Sequence, residues 1–297
     1  NTRAISFTGS TGTLRSVSYN ILKNIDTKCT KIDNEGSLGN NALIGLWCSA
    51  ASLSISNNSI SGLRAVTTST NSPGIVGIYS SASNGSIIAY NQLFDFSNSA
   101  TGTYPFIMGI ANLSNDVVIK NNMISLNNSG NSNAVSMFGL RLTNSSNRAV
   151  LHNTIAISGN ASGNANSYAL YRAAMSANND QYINNILYNA RTGGSGKHFA
   201  IAHASGLTNE WGASDYNNLY SANPITLGEW PIGTSRSYSG WKAISTKDVN
   251  SKNTDVIFID PQSNLHLATN TNCNLNDAGV PGTGVTDDIE AETRNLS

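Results

Sequence analysis

Short apolar runs, each interrupted by an asparagine, recur along this chain at nearly constant spacing. Asn20, Asn58, Asn91, Asn122, Asn153, Asn185 and Asn218 form one column, with successive intervals of 38, 33, 31, 31, 32 and 33 residues. Val17, Ile55, Ile88, Ile119, Val150 and Tyr182 stand three residues before these asparagines, and only Asp215 breaks the series. Leu22, Ile60, Leu93, Ile124, Ile155, Leu187 and Tyr220 stand two residues after them. Side chains on a strand alternate between faces, so two inward positions five residues apart cannot share one regular strand. The chain must turn between them. Asparagine tolerates the left-handed conformation and its amide can bond to its own copy in the next repeat, so the column is read as a corner with a stacked ladder.

A second column holds Gly45, Gly77, Gly109, Gly139, Ala169 and Ala200. Each is bracketed by large apolar residues, such as Met108 and Ile110 around Gly109. Alternation then predicts a strand with its large groups inward and the small residue outward. Each repeat so contains at least two strands and a corner, and can bury its apolar face only against the repeats above and below. The fold class expected is all-β: a parallel β-helix, or solenoid, of about seven to eight coils. Phe7 occupies the small-column slot thirteen residues before Asn20, so the chain is expected to begin inside a coil, with upstream coils or domains of a longer chain as its neighbours.

The period fails beyond residue 209. Residues 1–209 are read as coils, and 210–297 as the final coil, a Trp-containing capping insertion and a tail in the same domain. "SGWKAISTKDVNS" predicts a short helix, begun at Ser239, over the open end, and "DVIFIDPQSNLHLATN" predicts one or two further strands.

Composition narrows the function classes. Of 297 residues only 11% are charged and the net charge is zero, so the surface is built mostly from uncharged polar groups. Between Gly36 and Asn209 seven bases outnumber three acids, Asp95, Asp116 and Asp180, but they are scattered. That argues against a nucleic-acid partner. No run approaches the roughly 18–20 apolar residues that span a bilayer, so no membrane insertion is expected. Cys29, Cys48 and Cys273 show neither CxxC nor zinc spacing; they are read as small buried residues, with a Cys29–Cys48 disulfide as the alternative.

"SDYNNLYSAN", "LGEW", "SGWKAISTKDVNS", "DVIFIDPQSNLHL", "NDAGVP" and "DDIEAETR", in that order, resemble the closing segment of secreted right-handed parallel β-helix proteins of Bacteroidota, within the wider pectate-lyase-like superfamily. The resemblance implies the right hand of the solenoid, export, and membership of long surface proteins. One departure is "DIEAETR", where that family usually carries DIDG.

Two enzyme readings come with that superfamily. Glycoside hydrolysis needs a carboxylate pair, which Asp95, Asp116 and Asp180, in different coils, do not readily build; they are read as solvated turn residues. Lyase chemistry needs a base and cationic charge, for which Arg141 and Arg172, in adjacent coils and expected on the outer face, are candidates along with Lys120. His198 and His203, five residues apart on one strand, are expected to point to opposite faces. His152 is read as an exposed turn residue, and Asp287 and Asp288 as structural. No metal site or cofactor is implied.

One feature suggests binding. On the face assigned to the small column lie Leu43, Ile75, Ile107 and Met137 on one side and Trp47, Tyr79, Arg141 and Tyr171 on the other. They would form a trough repeating at about 4.8 Å, close to the interval of stacked sugar rings; alternatively, loops between coils cover the strip. The leading expectation is an exported, non-catalytic module of a larger surface protein, an adhesin, stalk or glycan-binding segment, with Trp47, Tyr79, Arg141, Tyr171 and Arg172 as candidate ligand contacts and a polysaccharide or cell-surface glycan as partner. The alternative is a polysaccharide lyase or glycoside hydrolase acting on an extracellular glycan.

Overall fold

The computed structural model describes residues 2–9, 15–28, 43–67, 73–102, 105–127, 135–143, 147–161, 163–173, 179–204 and 212–294. The chain winds into a parallel β-solenoid with three sheets running along its length. One coil illustrates the pattern: Phe106–Asn112 lies in the first sheet, Val117–Lys120 in the second and Met123–Asn127 in the third. Each strand pairs in parallel with its counterparts one coil below and one above. Seven strands stack in the second sheet, so five coils are flanked on both sides by a neighbour and two are terminal.

The corner between second and third sheets is made by two residues with separate tasks. The left-handed conformation belongs to the residue before each ladder asparagine: Tyr19, Asn57, Tyr90, Asn121, His152, Asn184 and Tyr216, with φ between 51° and 60°. The ladder residue itself turns inward. Its Nδ2 donates to the Oδ1 of the next coil's asparagine at 2.8–3.0 Å, and that same Oδ1 accepts its backbone N–H at 2.9–3.1 Å. Three buried polar groups per coil are thus satisfied without a charge. The ladder runs from Asn20 to Asn185 as expected and then ends on Asn217, not Asn218, because Ile186 pairs with Asn218 and shifts the register by one. Leu219, not Tyr220, therefore faces the core, and Ser214 takes the place assigned to Asp215.

The small column faces in, opposite to the expectation. A Cβ on Gly109 would lie 2.4 Å from Ile124 Cγ2 and 2.6 Å from the Gly139 carbonyl oxygen, both inside the coil. The next residue also faces in, as Leu46, Ile78, Ile110 and Leu140 join the same interior cluster. Two successive inward residues reset the alternation, as a β-bulge does, and the strands of this sheet from Thr2–Phe7 to His198–His203 carry the irregularity at the same place. Only glycine or alanine fits where two backbones approach so closely. The first member of the column is Ala4, not Phe7, since Arg3 pairs with Ile44 and Ile5 with Leu46; Phe7 stands opposite Cys48.

The C-terminal end is closed. A helix, α1 (Tyr238–Ser245), is capped by Ser237, two residues before the expected start, whose side chain accepts from the Gly240 N–H. It buries Trp241 completely beside Trp230 on the last coil. Buried Asp248 finishes the ladder: it accepts from Asn217 Nδ2 at 3.1 Å, from Trp241 Nε1 at 2.8 Å and from the Ser214 hydroxyl. Phe258–Asp260 and Asn264–Leu267 then form an antiparallel hairpin, and Phe258 and Leu265 seal against Ala156 on the outside of the third sheet.

Candidate functional site

The reset alternation redistributes the expected trough. Leu43, Ile75, Ile107 and Met137 belong to the interior core. Trp47, Tyr79 and Tyr171 do lie on the outer face of the first sheet, together with Ile44, Val76, Met108, Phe138, Tyr168 and Phe199. That face is covered: Val76 and Met108 are fully buried and Phe138 is 2% exposed. Its rings spend their faces on one another. Trp47 and Tyr79 stack at 4.0 Å and 8°, and the Arg3 guanidinium lies 3.6 Å from the Trp47 centroid. Phe138, Tyr168 and Phe199 stack in succession at 5.2 and 5.5 Å, with Tyr171 edge-on to Phe138. Arg141 is buried with its guanidinium about equally distant from Phe138 and Tyr171, at 6.0 and 5.9 Å.

Arg172 does not join Arg141 on the outer face. It turns inward, where its Nε donates to Asp180 Oδ2 at 3.0 Å. Arg148 reaches the same carboxylate, its backbone N–H donating to Oδ1 at 3.0 Å and its Nη1 lying 3.4 Å from Oδ2, and the Tyr182 hydroxyl donates to it at 3.3 Å. Asp180 and both arginines are at most 1% exposed, so the aspartate expected to be a solvated turn residue instead anchors the core between adjacent coils. Burial and the aspartate beside it push the Tyr182 phenol well above its usual range. His198 and His203 both face inward and are buried, because the reset alternation puts positions five apart on the same side. Burial lowers the His203 imidazole to about 4, with Arg172 adding to the shift.

The row of left-handed corners carries what the sequence did not reveal. The tail docks along it, coil by coil: Asn184 exchanges two hydrogen bonds with the backbone of Val280, His152 Nε2 meets the Thr283 hydroxyl at 2.8 Å, and the Tyr90 hydroxyl donates to Asp287 Oδ1 at 2.8 Å. Asn121 donates to the Asp287 carbonyl and accepts from Arg294 Nη2. The structural role expected of Asp287 holds, and His152 is half-buried beneath the tail and not an exposed turn residue. Its imidazole is pushed down to about 4, first by burial and then by Arg294 and Lys120. The signal for this row was the identity of the residue before each ladder asparagine, where tyrosine, asparagine and histidine alternate.

Between that row and the tail opens a cleft of about 610 Å³. Asn184, Tyr216 and Asn218 line its wall, Lys252 one edge, and Asp277 and Arg294 the tail side. An aromatic ring and both signs of charge on one concave surface suit a ligand rich in hydroxyl groups; the Asn184 and Asn218 amides are bonded to the backbone of Val280 and Thr254, and His152 Nε2 to Thr283, and hold the wall and the tail together. Among the described residues no group of three or more His, Cys, Asp or Glu side chains is placed to hold a metal ion. Compared with family models, with curated proteins and with solved structures, the chain finds no match in any of the three.

Proposed function

We propose that the chain is a non-catalytic, exported glycan-binding module of a larger surface protein, and that the glycan seats in the cleft between the corner row and the tail. The cleft carries the reading. It is a large concavity that joins an aromatic side chain, Tyr216, to charged groups of both signs, Lys252, Asp277 and Arg294. Its wall is set by the asparagine ladder, so the groups are held in place before a ligand arrives, which reduces the entropy lost on binding. The aromatic strip of the first sheet is the weaker seat, because the faces of Trp47 and Tyr79 are already stacked.

The test is a glycan array run beside assays for unsaturated products and for new reducing ends on the same glycans. Expected is binding without turnover, reduced at least tenfold in a Tyr216→Asn, Asp277→Asn double variant and unchanged in Trp47→Ala. Asparagine at 216 keeps a residue suited to the left-handed corner. Loss in Trp47→Ala or Tyr171→Ala with an intact cleft variant would move the site to the strip. Turnover of any glycan would overturn the non-catalytic reading, and silence on every glycan would leave a spacer.

A further inference from the structure

A buried guanidinium needs something to replace the water it gives up. Arg148 and Arg172 share the Asp180 carboxylate, and Arg141 lies beside the rings of Phe138 and Tyr171. Arg191, 2% exposed, is the exception. Among the described residues neither a carboxylate nor an aromatic ring meets it. Its Nη1 donates to the Val135 carbonyl oxygen at 2.9 Å, and the edge formed by Nε and Nη2 has no acceptor among the described residues.

The backbone fixes this side chain in place. Leu187, Asn189 and Arg191 alternate along a third-sheet strand and its exit, and all three are buried. The Asn189 amide donates to the carbonyl oxygens of Ser167 and Phe199 at 3.1 and 2.9 Å, and its Oδ1 accepts the Arg191 backbone N–H at 3.3 Å. A parallel bridge from Thr192 to Asn160 ties the next residue to the preceding coil. The guanidinium then reaches Val135, 56 residues earlier in the chain.

The surrounding chain supplies no counter-charge. Of the three acids between Gly36 and Asn209, Asp95 pairs with Arg64, Asp116 accepts from the Asn115 and Asn147 amides, and Asp180 serves Arg148 and Arg172. His198 senses the charge of Arg191, but an imidazole offers no negative charge; its Nδ1 meets the Ser167 hydroxyl at 2.9 Å and its Nε2 the Gly193 carbonyl at 3.3 Å. Nor does the guanidinium lose its proton, because burial pulls it down only to about 10 and leaves it cationic at neutral pH.

We infer that Arg191 holds a chloride ion on its Nε–Nη2 edge, inside the corner between the third and first sheets. The charge count selects the ion: one buried cation needs one negative charge, and a divalent oxyanion would exchange an excess of one sign for the other. The planar fork presents both N–H groups along one edge, where they converge on a single acceptor. Enclosure favours a small ion, and chloride gives up its hydration shell more readily than fluoride.

Thermal unfolding in sodium chloride and in sodium gluconate of equal ionic strength tests the site. The difference in Tm between the two salts is expected to be roughly 3–5 °C larger in the parent chain than in Arg191→Met, which removes the charge from a side chain of similar length. Taking the difference cancels general effects of the salts. Bromide-soaked crystals of the parent chain give a readout that does not depend on the variant's folding: an anomalous peak beside Arg191 Nε and Nη2 is expected. The same salt difference in parent and variant would overturn the assignment, and so would bromide peaks confined to the protein surface.

Discussion

At the scale of single residues, this protein settles its polar groups in two ways. Uncharged amides serve where the same need recurs in every coil, as in the ladder. One carboxylate serves where two guanidinium groups from neighbouring coils must be buried together. Asp180 is the only described acid within reach of Arg148 and Arg172, and removing the charge from such a cluster leaves buried cations without compensation. Asp180→Asn is expected to cost roughly 3–5 kcal/mol of unfolding free energy, measured by denaturant titration. A cost below about 1 kcal/mol, the range of an exposed pair, would show that the carboxylate is not the anchor. Neither role was legible from the sequence, where Asp180 in "ANNDQY" looks like any turn aspartate; its burial follows from which coil lies on either side.

At the scale of elements, the tail behaves as a strap laid over the corner row, and His152 makes it sensitive to acid. Its imidazole titrates near 4 in the docked state against an ordinary value of 6.5. The undocked form therefore binds the proton more tightly. Docking is at full strength above pH 6.5 and weakens as pH falls from 6.5 toward 4. His203, shifted in the same direction by burial, destabilises the coils themselves over the same window. Limited proteolysis within residues 277–294 is thus expected to accelerate as pH drops from 7 to 5, and His152→Asn, which suits the corner conformation, is expected to flatten that response without abolishing the acid sensitivity of global unfolding. A cleavage rate independent of pH in the parent chain would contradict the docked geometry.

At the scale of the whole molecule, a solenoid is nearly one-dimensional, so each coil is stabilised by its neighbours and the ends open first. Cys48 reports on that behaviour. It lies in the second coil, 1% exposed, and burial pushes its thiol up to about 12, whereas Cys273 is exposed in the tail. Cys29 lies outside the described residues; Cys48 is a free thiol, so the alternative disulfide is not formed, and Cys273 is exposed where a buried residue was expected. Alkylation followed by peptide mapping is expected to modify Cys273 at once and Cys48 only as the N-terminal coils open. Equal rates would mean that the second coil is not closed.

The sequence alone determined the repeat, the parallel solenoid, the asparagine ladder and the capping helix. The first three follow from a pattern that must recur in every coil, so the errors of one repeat are corrected by the others; the helix follows from the break in that pattern and from a local serine cap and buried tryptophan. It did not determine which way the small column points. Strict alternation holds only along an unbroken strand; the double inward step at Gly45, Gly77, Gly109 and Gly139 turned half of the expected trough into the core, and the same step at Ala169 and Ala200 did so for Arg172, His198 and His203. The last ladder position slipped from Asn218 to Asn217 because two adjacent asparagines compete and only strand pairing chooses between them. The cleft and the strap depend on contacts between residues such as Tyr90 and Asp287, 197 apart in sequence. No local pattern encodes such a distance, and tertiary packing alone decides it.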